Sequence, residues 1–128
     1  MTKTILAALA LATAPFATAS AEVPVDWFDD AYKICSKGNT SEIVSCVEDE
    51  RKAWDKRMQA AYKNLRREAS EETVDQLMNA QQRWVDFRDS NCSFHGSREG
   101  SLSMIEGVEC LRVLTAHRAQ ELELMLME

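Results

Sequence analysis

The sequence predicts an all-α fold, a small bundle of about four helices stapled by two disulfides. Three observations predict it. Apolar residues recur at helical spacing over most of the chain, and no run alternates as a strand does. Only four Gly and two Pro occur in 128 residues, so long stretches carry no helix breaker. Four Cys stand in a short acidic chain whose N-terminus reads as an export signal.

The export signal comes first. Lys3 supplies a short positive region, residues 5–14 are apolar, and Pro15 breaks the run. Ala19-Ser20-Ala21 then fits the small-x-small pattern that signal peptidases cut. The apolar run is shorter than the roughly 20 residues that span a bilayer. Residues 1–21 are therefore expected to be a secretory signal peptide, cleaved near Ala21. That leaves 22–128 as one mature helical domain, periplasmic or secreted. No Cys stands directly after the expected cleavage point, so no lipid attachment is read, and no later segment has the apolar length of a membrane span. Losing Lys3 and no acid takes the net charge from −6 to −7. An acidic domain argues against a nucleic-acid partner, which needs a basic face. An apolar content of 45% is too high for a disordered tail.

A first short helix is expected over 26–37, with Asp26 as N-cap and Lys37-Gly38-Asn39 as its stop. Asn39 then caps a second helix, with Glu42 in capping-box position. Ile43, Val47, Trp54, Met58, Ala61 and Leu65 share one stripe of it. Read without a break, the run 40–92 would make a rod of about 80 Å, too long for a domain of this size. Ser70, followed by Glu71-Glu72, is the best place to end one helix and cap the next. Folding back there pairs positions whose numbers sum to about 140, so Leu65 meets Val74 and Trp54 meets Trp84. The third helix carries Val74, Leu77, Gln81, Trp84 and Arg88 on one stripe. Residues 95–107 hold three of the four Gly and three Ser, and are expected to form the one long loop. A final helix follows from about Val108 to Met127, with Leu111, Leu114 or Thr115, Arg118, Leu122 and Met125 on one face.

Cys35, Cys46, Cys92 and Cys110 all lie in the mature part. An even count in a small exported domain reads as a disulfide framework. Zinc is the competitor, but the intervals of 11, 46 and 18 lack its close pairs. Of three connectivities, the local pairs Cys35–Cys46 and Cys92–Cys110 are favoured, each closing a Gly-containing segment.

Gln81, Arg88 and Arg118 fall on inward stripes. A buried charge must be paired and hydrogen-bonded. Asp55, Asp89, Glu50 and Glu121 are the candidate partners, Asp55 for Arg88 in the hairpin register. With Trp84 and Thr115 on the same stripes, Asp55, Gln81, Arg88, Asp89 and Arg118 make up a predicted structural polar network. Lys52, Lys56, Lys63 and Arg67 recur on one face of the second helix, which reads as a solvated face with pairs such as Glu48–Lys52 and Arg51–Asp55.

Three motifs carry a family resemblance. Asp55…Met58-Gln59…Tyr62…Leu65 resembles D-x-x-L-N-x-x-Y-x-x-L, with Met-Gln where the pattern has Leu-Asn. Ala80, Gln81, Trp84, Phe87, Arg88 and Asp89 lead to Cys92 in the spacing A-Q-x-x-W-x-x-[FY]-R-D-x-x-C. Cys110…Thr115…Arg118…Glu121-Leu122 resembles C…T-x-x-R-x-x-E-L, and a Gly/Ser-rich segment separates the last two. Over 35–122 the chain resembles the lysozyme inhibitor LprI-like N-terminal domain family, small exported bacterial proteins with four cysteines. The resemblance implies a helical, disulfide-bonded fold and inhibition of a lysozyme or another cell-wall hydrolase. The alternative is a non-enzymatic interaction module for another envelope protein, suggested by the polar stripe and by Trp27 and Phe28.

No catalytic constellation is read. The Cys are expected to be oxidised, and Ser97 and Ser101 have no His/Asp pair beside them. His95, Met104 and His117 have no recognised metal-ligand spacing. Neither cofactor nor metal is expected. The segment His95, Gly96, Ser97, Arg98, Gly100 and Ser101, tethered between Cys92 and Cys110, is the candidate binding loop.

Overall fold

The computed structural model describes residues 27–127. The expected signal peptide, its cleavage point and the expected cap Asp26 lie outside them. Four helices follow in order: α1 (Asp30–Cys35), α2 (Thr40–Glu68), α3 (Glu71–Gly96) and α4 (Ser101–Met125). The described residues contain no strand.

Local chemistry sets most of the boundaries. Asp29, rather than Asp26, caps α1 by accepting from the Tyr32 N–H. Asn39 and Glu42 form the expected reciprocal capping box at the start of α2. Ser70 caps α3 through the Thr73 N–H, so the break falls where the sequence placed it. The C-terminal half differs from expectation. The 95–107 segment is not a long loop: α3 runs on through His95 and Gly96, and α4 opens at Ser101. Only 97–100 connect them. Gly100, at φ +97, turns the chain there in a conformation that favours glycine.

α4 is the central helix. Beside the stripe Ile105, Glu109, Arg112, Thr115, Ala119 and Leu122, it buries Cys110, Val113, Ala116 and Arg118, so its buried residues point around the helix rather than along one stripe. Two neighbours require this. α2 runs parallel to it, with Ile43 and Val47 in one cluster with Ile105, and Met58 and Ala61 in another with Ala119 and Leu122. α3 runs antiparallel, joined to it at Cys92–Cys110 and at Gln81–Arg118. α2 and α3 keep the expected register, since Gln81 donates to the Met58 sulfur at 3.6 Å, positions that sum to 139. Away from their turn they are separated by side chains, and α4 fills the space beneath. Both favoured disulfides are present, each with a Cα–Cα distance of 5.4 Å.

The glycines misread as loop residues have a packing role instead. α3 and α4 cross at Gly96 and Gly107. A Cβ on Gly107 would stand 3.0 Å from Gly96 Cα and 3.4 Å from its nitrogen. The obstacle is backbone, so the helices would have to part. Gly107→Ala is expected to cost about 1–3 kcal/mol, as overpacking does. The reverse change, Gly96→Ala, meets nothing nearer than 3.6 Å. It is expected to be neutral, or to gain up to about 1 kcal/mol from helix propensity. Urea unfolding of the two variants checks this asymmetry, and equal effects would refute the close-approach account.

Candidate functional site

Two apolar clusters lie at opposite ends of the α2–α4 pair, one around Val47 and Ile105, the other around Met58 and Leu122. A belt of polar side chains on α4 separates them. Arg118 donates through Nε to Gln81 at 3.0 Å and through a terminal nitrogen to Glu121 at 2.7 Å. Arg88 donates to Asp89 at 2.8 Å and to the Thr115 hydroxyl at 3.4 Å. Both guanidiniums face the Trp84 ring, at 5.1 Å for Arg88 and 5.9 Å for Arg118, within cation–π range. Gln81, Trp84, Arg88, Asp89, Thr115 and Arg118 are thus brought together.

Asp55 is not the partner of Arg88. Arg88 takes the adjacent Asp89 instead, while Asp55 stands near Arg51 and helps hold that guanidinium protonated, after the larger effect of Glu48. The expected i,i+4 pairs on α2 shift to i,i+3. Glu48 receives Arg51 through two hydrogen bonds of 2.7 and 2.8 Å, and Asp49 receives Lys52 at 3.1 Å.

The deepest ion pair was not anticipated. Glu109 is fully buried and Arg112 is 2% exposed. Arg112 donates twice to the Glu109 carboxylate, at 2.6 and 2.7 Å, and once to Asp29 at 2.9 Å. Glu109 also accepts from the Phe28 N–H at 3.0 Å. Phe28 has a φ of 61, unusual for a non-glycine residue, and this bond fixes it in place. The three-residue spacing of Glu109 and Arg112 inside the apolar run 108–114 was the available signal. The network ties the start of α1 to α4, while Cys35–Cys46 ties its end to α2. Asp29 lies below the ordinary carboxylate range: burial pushes it up, but the Tyr32 N–H and Arg112 outweigh that. Burial, with the nearby Glu109 charge, pushes the Tyr32 hydroxyl up.

Among the described residues every buried side-chain nitrogen and oxygen has a hydrogen-bond partner. A satisfied network of this kind rigidifies a core. A small cleft of about 190 Å³ opens beside it, where Asp29, Glu50, Trp54 and His117 reach the surface. His95 packs instead against Trp27, the rings tilted and 4.9 Å apart between centres. Trp27 and Phe28 are therefore engaged by their own chain. Among the described residues no group of three or more His, Cys, Asp or Glu side chains is placed to hold a metal, and no helix is long and apolar enough to cross a membrane.

The α3–α4 corner presents a different surface. Phe94, Leu102 and Met104 stand more than half exposed there. Met104 also lines a groove of about 350 Å³, together with Cys92, Ser93, Gly96, Gly107 and Leu111. Arg98 reaches back from the connection to pair with Glu106. Of the candidate binding segment, His95 and Gly96 end α3, Ser97, Arg98 and Gly100 turn, and Ser101 begins α4.

The fold defines a class: a small helical protein with one disulfide at each of two helix junctions, a hydrogen-bonded polar belt between its helices, and exposed apolar side chains at the α3–α4 corner. Residues 35–122 match the family described as lysozyme inhibitor LprI, and the chain belongs to that family. No curated protein and no solved structure matches it.

Proposed function

We propose that this chain is exported, matures near Ala21, and binds and inhibits a lysozyme or another cell-wall hydrolase without enzymatic activity of its own. Family membership over 35–122 is the observation that carries the reading. Three features support it. The two disulfides suit an oxidising compartment. A net charge of −6 steers the protein toward a cationic hydrolase. The α3–α4 corner offers apolar side chains on a backbone held by Cys92–Cys110, the Gly96/Gly107 crossing and the Arg98–Glu106 pair. A corner held in this way loses little entropy on docking. It is narrower than a flexible loop, so it presents exposed side chains rather than a long inserted strand.

A turbidity assay of cell-wall lysis with residues 22–128 tests the proposal. Dose-dependent slowing of lysis is expected. Phe94→Ala and Leu102→Ala should each weaken it by about tenfold or more, as exposed interface anchors do. Undiminished lysis at about 50 μM protein, across chicken-, goose- and invertebrate-type lysozymes, sinks the inhibitor reading. Inhibition that survives both substitutions removes the corner as the inhibitory element.

A further inference from the structure

We propose that the groove between α2 and α3, near their turn, is a binding site for a small polyanion. The groove has a volume of about 560 Å³ and is lined by Gln59, Tyr62, Lys63, Arg66, Arg67 and Val74. Its charge runs against that of the chain. From Lys56 to Arg67, α2 carries five cations and no acid, in a protein of net charge −6. Of these five, Arg57 alone has a carboxylate partner among the described residues, Glu123 at 2.6 Å.

The three cations of the groove are otherwise engaged or open. Arg66 stands 5.6 Å from the Tyr62 ring centre, and Arg67 donates to the neutral Asn64 amide at 2.6 Å. Lys63 has no ion-pair partner among the described residues. The helix dipole accounts for cations in the last turn of α2. It does not account for Lys63, a turn earlier, converging with them on one groove, nor for twelve residues without a carboxylate. Glu68, Glu71, Glu72 and Asp75 follow at the turn, yet none comes within ion-pair distance of the three.

The residues specify the ligand's chemistry. Two guanidiniums and an ammonium at i, i+3 and i+4 match closely spaced carboxylates or phosphates, which Arg grips through paired N–H groups. Tyr62 and Val74 add apolar lining, and Gln59 adds an amide. The site is separate from the α3–α4 corner. Val74 and Gly96 lie 22 residues apart on α3, about 33 Å at helical rise. A cationic hydrolase docked at the corner would leave this groove free.

Amide chemical-shift titration of the mature protein at about 150 mM salt, where loose surface attraction is screened, tests the proposal. The probes are tripolyphosphate, citrate and, as a monovalent control, acetate. Shifts confined to residues around 59–67 and Val74, with a Kd below about 1 mM for either polyanion, are expected. The tripolyphosphate arm identifies a phosphate ligand and the citrate arm a carboxylate one. The triple variant Lys63→Gln/Arg66→Gln/Arg67→Gln should weaken binding by about tenfold or more with unchanged helix content. Lys52→Gln, outside the groove, should leave it unchanged. No shift with either polyanion, or shifts scattered over every cation of the surface, would overturn the site.

Discussion

Arg112→Ala is expected to destabilise the protein by about 3–5 kcal/mol, because it strands a buried carboxylate. Glu109 has no exposure to water, and two of its three hydrogen bonds come from Arg112. Small domains hold only about 5–15 kcal/mol in total, so the loss is a large fraction of the fold. The cost lies in the unpaired partner rather than in the net worth of the pair. Glu109→Leu with Arg112→Met should therefore recover much of the stability of the single variant. It should not restore the order of 27–29, since the Phe28 N–H and Asp29 lose their partners. Urea unfolding measures the first effect and amide exchange of residues 27–29 the second. A single variant within about 1 kcal/mol of the parent would refute the account.

The same variant should change the acid limb of stability. Asp29 is held below its ordinary value of 3.8, so the folded state binds this proton less readily than the unfolded chain. Its contribution is present above that value and is lost as pH falls through the lowered one. Without Arg112 the Asp29 carboxyl moves up toward its unfolded value and that contribution shrinks. The stability gap between parent and Arg112→Ala should therefore narrow below about pH 4.

The starts of α2 and α3 were legible because their determinants are local. Asn39 with Glu42, and Ser70 before Glu71-Glu72, act within one turn of chain, and each begins a helix where its chemistry says. The stripe Ile43, Val47, Met58, Ala61 needs only the helical repeat and one buried face. Legibility ended where long-range packing decided. Gly96 and Gly107 look like loop formers in sequence, yet they sit inside helices that cross so closely that Gly107 has no room for a side chain. α4 hid its role because a helix packed from two sides has no single apolar stripe. Among the polar residues, Arg88, Arg118 and Gln81 could be picked from their stripe positions. The Asp55 pairing failed because it was inferred from register alone, whereas Arg88 found Asp89 one residue away. Asp29 is not legible because its bond to Arg112 spans 83 residues, and the Glu109–Arg112 pair is hidden because its burial depends on α4 being central.

Removing the two disulfides should have unequal consequences, although their loops are alike. With separations of 11 and 18 residues, the chain-entropy model assigns each about 3 kcal/mol. Packing divides them. Cys110 is fully buried and Cys92 nearly so, at the point where α3 and α4 touch backbone to backbone. Cys92→Ala/Cys110→Ala thus loses the crosslink and opens a gap in the helix crossing, for an expected global loss of about 3–5 kcal/mol. Cys35–Cys46 tethers a six-residue helix that Arg112, Glu109 and Asp29 also hold. Cys35→Ala/Cys46→Ala should lower global stability less and loosen α1 locally, as amide exchange over 30–35 would report. Function should follow the same division. If the corner is the docking surface, the Cys92/Cys110 variant loses inhibition at temperatures where it remains helical, because its apolar side chains are no longer held in place. The Cys35/Cys46 variant, with the corner intact, keeps it. Equal inhibition by both folded variants would separate the corner's rigidity from the protein's activity.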